Sequence, residues 1–154
     1  MSDWKLPWHG GCLCGHIRFR ISAAPLLTMA CHCSGCQKLS ASAYSLTIAV
    51  PTEGFAIAQG EPVVGGLHGP HRQLYCPLCK NWMFTRPRGV DFFVNVRATM
   101  LDRHDWYVPF VEVHTAEKLP WATTPAVHSF ATQPDPEGYA PLIEAFARDG
   151  ARPA

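Results

Sequence analysis

No apolar run in this sequence approaches the roughly 20 residues that span a bilayer, and the opening Met-Ser-Asp-Trp-Lys-Leu-Pro-Trp-His-Gly-Gly carries no signal-peptide core. A cytoplasmic protein without a membrane partner is the expectation. Charge is scarce. Only 16% of the 154 residues are charged, and 13 basic against 12 acidic side chains leave a formal net charge of +1. Blocks of like charge are absent and the Lys and Arg residues are scattered. The chain therefore lacks the basic patch that phosphate contacts require, and nucleic acid is not an expected partner. Internal repeats and low-complexity tracts are missing too, and an apolar fraction of 47% argues against disorder over most of the length. Such a length supplies one hydrophobic core, so a single domain over residues 1–154 is expected.

Solitary cysteines are also lacking. The 7 cysteines fall into three tight clusters: Cys12 with Cys14, Cys31 with Cys33 and Cys36, and Cys76 with Cys79. A disulfide framework sits poorly with an odd count, no export signal and a reducing cytosol. A redox Cys-x-x-Cys centre at Cys76-Pro77-Leu78-Cys79 lacks the strand-helix-strand surroundings such a motif keeps, and it would leave five thiols unexplained. Metal binding accounts for all of them. Thiolates are soft ligands, zinc prefers a tetrahedral set, and short spacings on tight turns place two sulfurs on one side of the chain. Iron is the alternative ion for four thiolates.

Seven sulfurs divide into four plus three, matching a closed structural site and an open site that keeps a position for water or substrate. Cys12, Cys14, Cys76 and Cys79 would form the closed set, tying the N-terminal segment to the middle of the chain. Cys31, Cys33 and Cys36 would form the open one, with Gly35 free to take a positive φ in so tight a wrap. Spacing alone leaves a second partition open, in which Cys31 and Cys33 complete the set begun by Cys12 and Cys14. His32 is a further candidate ligand, but it lies between two ligating positions and an extended turn aims it away from its neighbours' metal. It reads otherwise as a solvated or supporting histidine, or as a proton carrier near neutral pH.

Period-two alternation marks strands over Gly15–Ile21, with Ile17, Phe19 and Ile21 on one face, and over Tyr44–Val50. Further strands are expected at Phe55–Ala58, Pro62–Leu67, His71–Tyr75, Val90–Val96 and Phe110–His114, so the fold class is mainly β. One or two helical turns follow Cys33, with Ser34 as N-cap and backbone N–H groups aimed at Cys36. A short C-terminal helix over Pro141–Arg148, packing through Leu142, Ile143 and Phe146, is expected to stop at Gly150. The proline-rich stretch 123–141 reads as an extended connection.

Three segments together carry a family likeness: Gly10-Gly11-Cys12-Leu13-Cys14-Gly15-His16-Ile17-Arg18-Phe19, Cys31-His32-Cys33-Ser34-Gly35-Cys36-Gln37 and Tyr75-Cys76-Pro77-Leu78-Cys79. With Asn95, Leu101-Asp102 and Pro120-Trp121, the chain resembles the glutathione-dependent formaldehyde-activating enzymes, a family that includes centromere protein V, over roughly residues 9–122. The rest, 123–154, is a C-terminal extension. The resemblance implies a β-tent of stacked antiparallel sheets with zinc knuckles. It also implies a structural zinc on Cys12, Cys14, Cys76 and Cys79, and a second zinc on Cys31, Cys33 and Cys36. It further implies carbon–sulfur lyase chemistry, the condensation of glutathione with formaldehyde. Lys80 departs from the pattern, because the family usually has glycine directly after the last cysteine.

Zinc at an open three-thiolate site would take an incoming thiol as thiolate and orient it toward a small aldehyde. Three protein thiolates leave the divalent ion with an excess negative charge, so this second ion is expected to be labile. The alternative is a non-enzymatic, zinc-stabilised protein-binding module, favoured by the lack of an evident acid–base pair. Asp102, His104 and Asp105 read as an exposed turn, Glu112 and His114 as the wet face of a strand, and Trp82 as a cover for the structural zinc.

Overall fold

The computed structural model describes residues 3–66 and 68–154. The smaller of two sheets contains β1 (Trp8–Gly11), β2 (Arg18–Ile21) and β5 (Phe55–Gln59), antiparallel in that order. The larger has eight strands in the order β11 (His128–Ser129), β10 (Val111–Val113), β3 (Leu27–Cys31), β4 (Ser45–Pro51), β9 (Phe93–Arg97), β8 (Trp82–Arg86), β7 (Arg72–Tyr75) and β6 (Val63–Gly65). It is antiparallel from β3 to β6 and parallel where β10 meets β3 and β11. A mainly β chain with a short C-terminal helix is thus what forms, and no helix among the described residues is long and apolar enough to cross a membrane.

The alternating segments become strands with shifted ends. β2 starts only at Arg18 because the residues before it are spent on a sulfur knuckle. The Ile17 N–H donates to Cys12 Sγ at 3.3 Å, and Gly15 turns the chain at φ +78°. The expected strand Pro62–Leu67 is realised as β6, with Leu67 outside the described residues. β3 and β8, which no alternation signals, are interior strands of the large sheet. Their segments Leu-Thr-Met-Ala-Cys and Trp-Met-Phe-Thr-Arg are mostly buried on both faces and so show no period of two.

Aromatic contacts lock the sheets together. Phe55 of the small sheet sits 5.5 Å from Phe19 and 4.8 Å from Phe84 of the large sheet, between ring centroids. The C-terminal helix α2 (Tyr139–Asp149) buries Leu142 and Phe146, and Trp4 stacks on Phe146 at 5.5 Å. It starts two residues before Pro141, whose missing N–H falls among the helix's unpaired first donors and costs nothing there. The connection before it is not wholly extended, since it contains β11 and a 3-10 turn at Pro136–Gly138.

Candidate metal centres

The fold brings the cysteines together as four and three. The ligand atoms of Cys12, Cys14, Cys76 and Cys79 lie within 4.8 Å of one another, and so do those of Cys31, Cys33 and Cys36. Cys12 and Cys14 sit on the turn joining β1 to β2, whereas Cys76 and Cys79 sit on the turn joining β7 to β8. The first group therefore staples one sheet to the other. Cys12 and Cys14 sulfurs are 3.7 Å apart, as are those of Cys14 and Cys76. The edge of a tetrahedron with Zn–S bonds of about 2.3 Å is about 3.8 Å, so this donor set fits zinc. Backbone N–H groups of Leu78 and Cys79 face Cys76 Sγ at 3.4 and 3.5 Å, and Asn81 Oδ1 accepts the Leu13 N–H at 2.9 Å, tying the two turns directly.

Lys80 takes the conformation that a glycine would take at the end of this turn, with φ +61°. The knuckle survives the departure from the family pattern at the expense of a left-handed backbone, which strains a residue bearing a Cβ. Lys80→Gly is expected to raise stability by about 0.5–1 kcal/mol, the strain released less the entropy glycine adds to the unfolded chain. Denaturant titration of the two proteins checks this; a loss of stability would mean that the lysine side chain does more than its backbone costs.

At the second group, β3 delivers Cys31 and the helix α1 (Ser34–Ser40) delivers Cys36. The N-cap is Cys33, not Ser34, and its sulfur accepts the Cys36 N–H at 3.3 Å. The backbone donor expected to serve Cys36 thus serves Cys33. The Cys36 thiol is drawn down to about 5, first by the hydrogen bond from Cys31, with Cys33 and the charge of Arg97 assisting against burial. That same pairing pushes the Cys31 thiol up. Burial pushes the Cys33 thiol up as well, so one of the three sulfurs is favoured as thiolate by its surroundings and a bound cation would displace the protons of the other two. The three sulfurs therefore suit a thiophilic metal.

Two surrounding residues, Arg97 and His68, escaped the sequence reading, and a third, Trp82, belongs to this group and not to the one expected. Arg97, at the end of β9, is buried, and its charge acts on both Cys36 and Cys31. Its guanidinium lies 4.1 Å from the Trp82 ring centroid, a cation–π contact. Trp82 itself packs with Cys33 and Cys36, so it covers the three-sulfur group rather than the four-sulfur one expected. The chain crosses over between Cys79 and Trp82, and strand alternation carries the ring to the other face. His68 places Nε2 3.4 Å from Cys33 Sγ. A signal for it was present in Gly65-Gly66-Leu67-His68-Gly69, where glycines frame one functional side chain.

His32 is fully buried rather than solvated. Its Nε2 lies 2.7 Å from Glu112 Oε1, and Glu112 Oε2 accepts the Ser129 hydroxyl at 2.7 Å. Glu112 is likewise buried, contrary to its reading as a wet-face residue, because β10 is covered by parallel strands on both edges and by the C-terminal segment. Burial opposes its ionisation, but Ser129 and His32 hold the carboxyl below the usual range. The pair fixes the backbone between Cys31 and Cys33 from beneath, and His32 is not among the mutually close ligand atoms. Asp102 is engaged in an ion pair with Arg18, whose charge also interacts with Cys12 of the four-sulfur group.

The model of the family described as glutathione-dependent formaldehyde-activating enzyme matches residues 7–117, a span holding all seven cysteines. A crystal structure of a Rhodobacter sphaeroides protein has a similar fold, with a TM-score of 0.51 and 15% identity. The match covers 61% of this chain and 87% of that one. No curated protein matches the chain.

Proposed function

The chain belongs to the glutathione-dependent formaldehyde-activating enzyme family, and on that premise we propose that its three-cysteine centre is the reaction site of a carbon–sulfur lyase. The substrates would be glutathione or another small thiol and a small aldehyde, and the compartment a reducing cytoplasm. One observation carries this reading: beside a four-sulfur set that saturates an ion stands a three-sulfur set that does not.

Cys12, Cys14, Cys76 and Cys79 would hold a structural zinc, and Cys31, Cys33 and Cys36 a second. The chemistry that zinc would supply at the second position is a lowered pKa for an incoming thiol and a fixed direction for its sulfur. The chain's own residues handle charge and water. Arg97 offsets the negative charge that three thiolates leave in excess, and it does so from a buried position where the field is poorly screened. Trp82 closes the Cys33–Cys36 side against water and holds the guanidinium plane. In condensation the thiolate sulfur bonds to the carbonyl carbon, the carbonyl π pair moves to oxygen, and a proton completes the S-hydroxymethyl product. The reverse breaks that carbon–sulfur bond and returns thiol and aldehyde, and neither direction needs an oxidant.

Elemental analysis of purified protein is expected to give two metal ions per chain, falling to one after dialysis against excess glutathione. Two ions that resist glutathione, with no acceleration of S-hydroxymethylglutathione formation, would transfer the reading to a non-enzymatic zinc-stabilised module.

A further inference from the structure

We infer that Arg97 is the carboxylate-binding residue of the three-cysteine centre and selects thiols that carry a carboxylate a few bonds from the sulfur. The inference rests on the proposed reading of that centre as the place where a thiol reacts. Arg97 is the one buried arginine or lysine among the described residues, and no carboxylate among them pairs with it. Its Nε–H has no hydrogen-bond acceptor in the protein. A guanidinium keeps its charge when buried and presents five donors in a planar fork, and a buried donor left unbonded is costly. Offsetting thiolate charge needs only nearness and leaves those donors unused. A carboxylate matches the fork with two parallel bonds.

Strand register sets the distance over which this cation works. Arg97 lies opposite Thr47, Thr47 opposite Met29, and Cys31 one same-face step beyond Met29. Two strand spacings and one such step put the Cα atoms of Arg97 and Cys31 about 12 Å apart. The charge of Arg97 reaches Cys36 and Cys31, yet its Nε–H bonds to neither sulfur. The cation thus stands beside the sulfurs and not on them, the arrangement needed when thiol and carboxylate belong to one small molecule. On the same face β4 presents the small side chains Ser45, Thr47 and Ala49. Trp82 packs its ring centroid 4.1 Å from the guanidinium carbon, while the N–H groups of a guanidinium point outward in its plane. Asn95, two residues earlier on β9 and on the same face, has a buried Oδ1 without a partner. It is an acceptor suited to the amine or amide N–H that accompanies the carboxylate in cysteine and its peptides. His68 covers Cys33, its ring packed on Gly35, which lies in α1 without the positive φ the sequence suggested. Half-buried Tyr75 and Leu39 border the Cys33–Cys36 pair on the sides left partly open to solvent.

The test gives the metal-loaded full chain three thiols of similar size: 3-mercaptopropionate, which carries a carboxylate, 2-mercaptoethanol, which is neutral, and cysteamine, which is cationic. At equal thiolate concentration, kcat/KM for adduct formation with formaldehyde is expected to be at least about 10-fold higher for 3-mercaptopropionate than for 2-mercaptoethanol, the lower end of what a hydrogen bond between charged groups contributes. The difference should lie in KM, and cysteamine should be the poorest of the three. Arg97→Met should abolish the preference, and Arg97→Lys, a point charge without the fork, should keep part of it. An Arg97→Met chain that slows all three thiols alike and keeps the preference would reduce Arg97 to charge compensation and overturn the assignment. A second readout needs no turnover. With isotope-labelled arginine nitrogens, the Arg97 Nε resonance should shift on titration with 3-mercaptopropionate and not with 2-mercaptoethanol. Turnover without preference, with that resonance unmoved, would overturn the carboxylate site and leave the proposed function standing. A selective shift without turnover of any thiol would support the site and overturn the lyase reading. Neither shift nor turnover would overturn both.

Discussion

Cys33→Ser is expected to remove the second metal ion and abolish thiol-dependent turnover while leaving the fold in place. Serine is the informative substitution because Cys33 has two jobs. As N-cap of α1 it accepts the Cys36 N–H, and serine is among the preferred residues for that task. As the metal ligand proposed above it would supply a polarizable thiolate, which a hydroxyl cannot replace. Helix capping therefore survives and coordination does not. Metal content should fall from two ions to one per chain. Turnover should drop on the order of a hundredfold or more, since losing about 3 kcal/mol of transition-state stabilisation costs that much. The thermal midpoint should stay within a few degrees. Unchanged turnover in this variant would sink the proposed function, whatever its metal content.

Cys76→Ser acts in the opposite sense, on stability more than on chemistry. Cys76 is fully buried, faces the N–H groups of Leu78 and Cys79, and sits 3.7 Å from Cys14 on the other sheet's turn. Removing its sulfur breaks the staple between β1–β2 and β7–β8, and structural zinc contributes directly to folding energy. A loss of about 3 kcal/mol or more is expected, a large part of the 5–15 kcal/mol that typically holds a domain together. Calorimetry should show the thermal midpoint lowered by roughly 10 °C, and a chelator strong enough to strip both ions should bring the wild type to the same place. A midpoint within two or three degrees of wild type would mean that the sheets are held by the Phe19–Phe55–Phe84 contacts alone.

The two variants separate the centres because their surroundings differ. The four-sulfur group lies between two sheets and shares its load with Asn81, whose side chain reaches the opposite turn. The three-sulfur group lies within one sheet and its attached helix, so its loss leaves the strand pairings intact.

The sequence by itself determined the ligand candidates. Two or three sulfurs can share one ion only if a tight turn holds them, which forces short spacings that stay visible in one dimension. It also determined β2, whose half-buried alternation is a local property, β4, whose alternation of apolar and small residues marks the strand although both its faces are buried, and the apolar face of the C-terminal helix. Tertiary structure alone decided what surrounds the sulfurs. Arg97 comes beneath Cys36 because β9 pairs with β4 and β4 with β3, matching Thr47 with Arg97 and Cys31 with Ser45. His32 meets Glu112 across 80 positions because β10 pairs in parallel with β3. Trp82 turns to the three-sulfur group and not to the nearer Cys79 because alternation in β8, not sequence distance, sets its direction. Charge compensation and water exclusion around a metal centre depend on strand order and register, and those are fixed by packing between distant segments rather than by the residues next to the ligands.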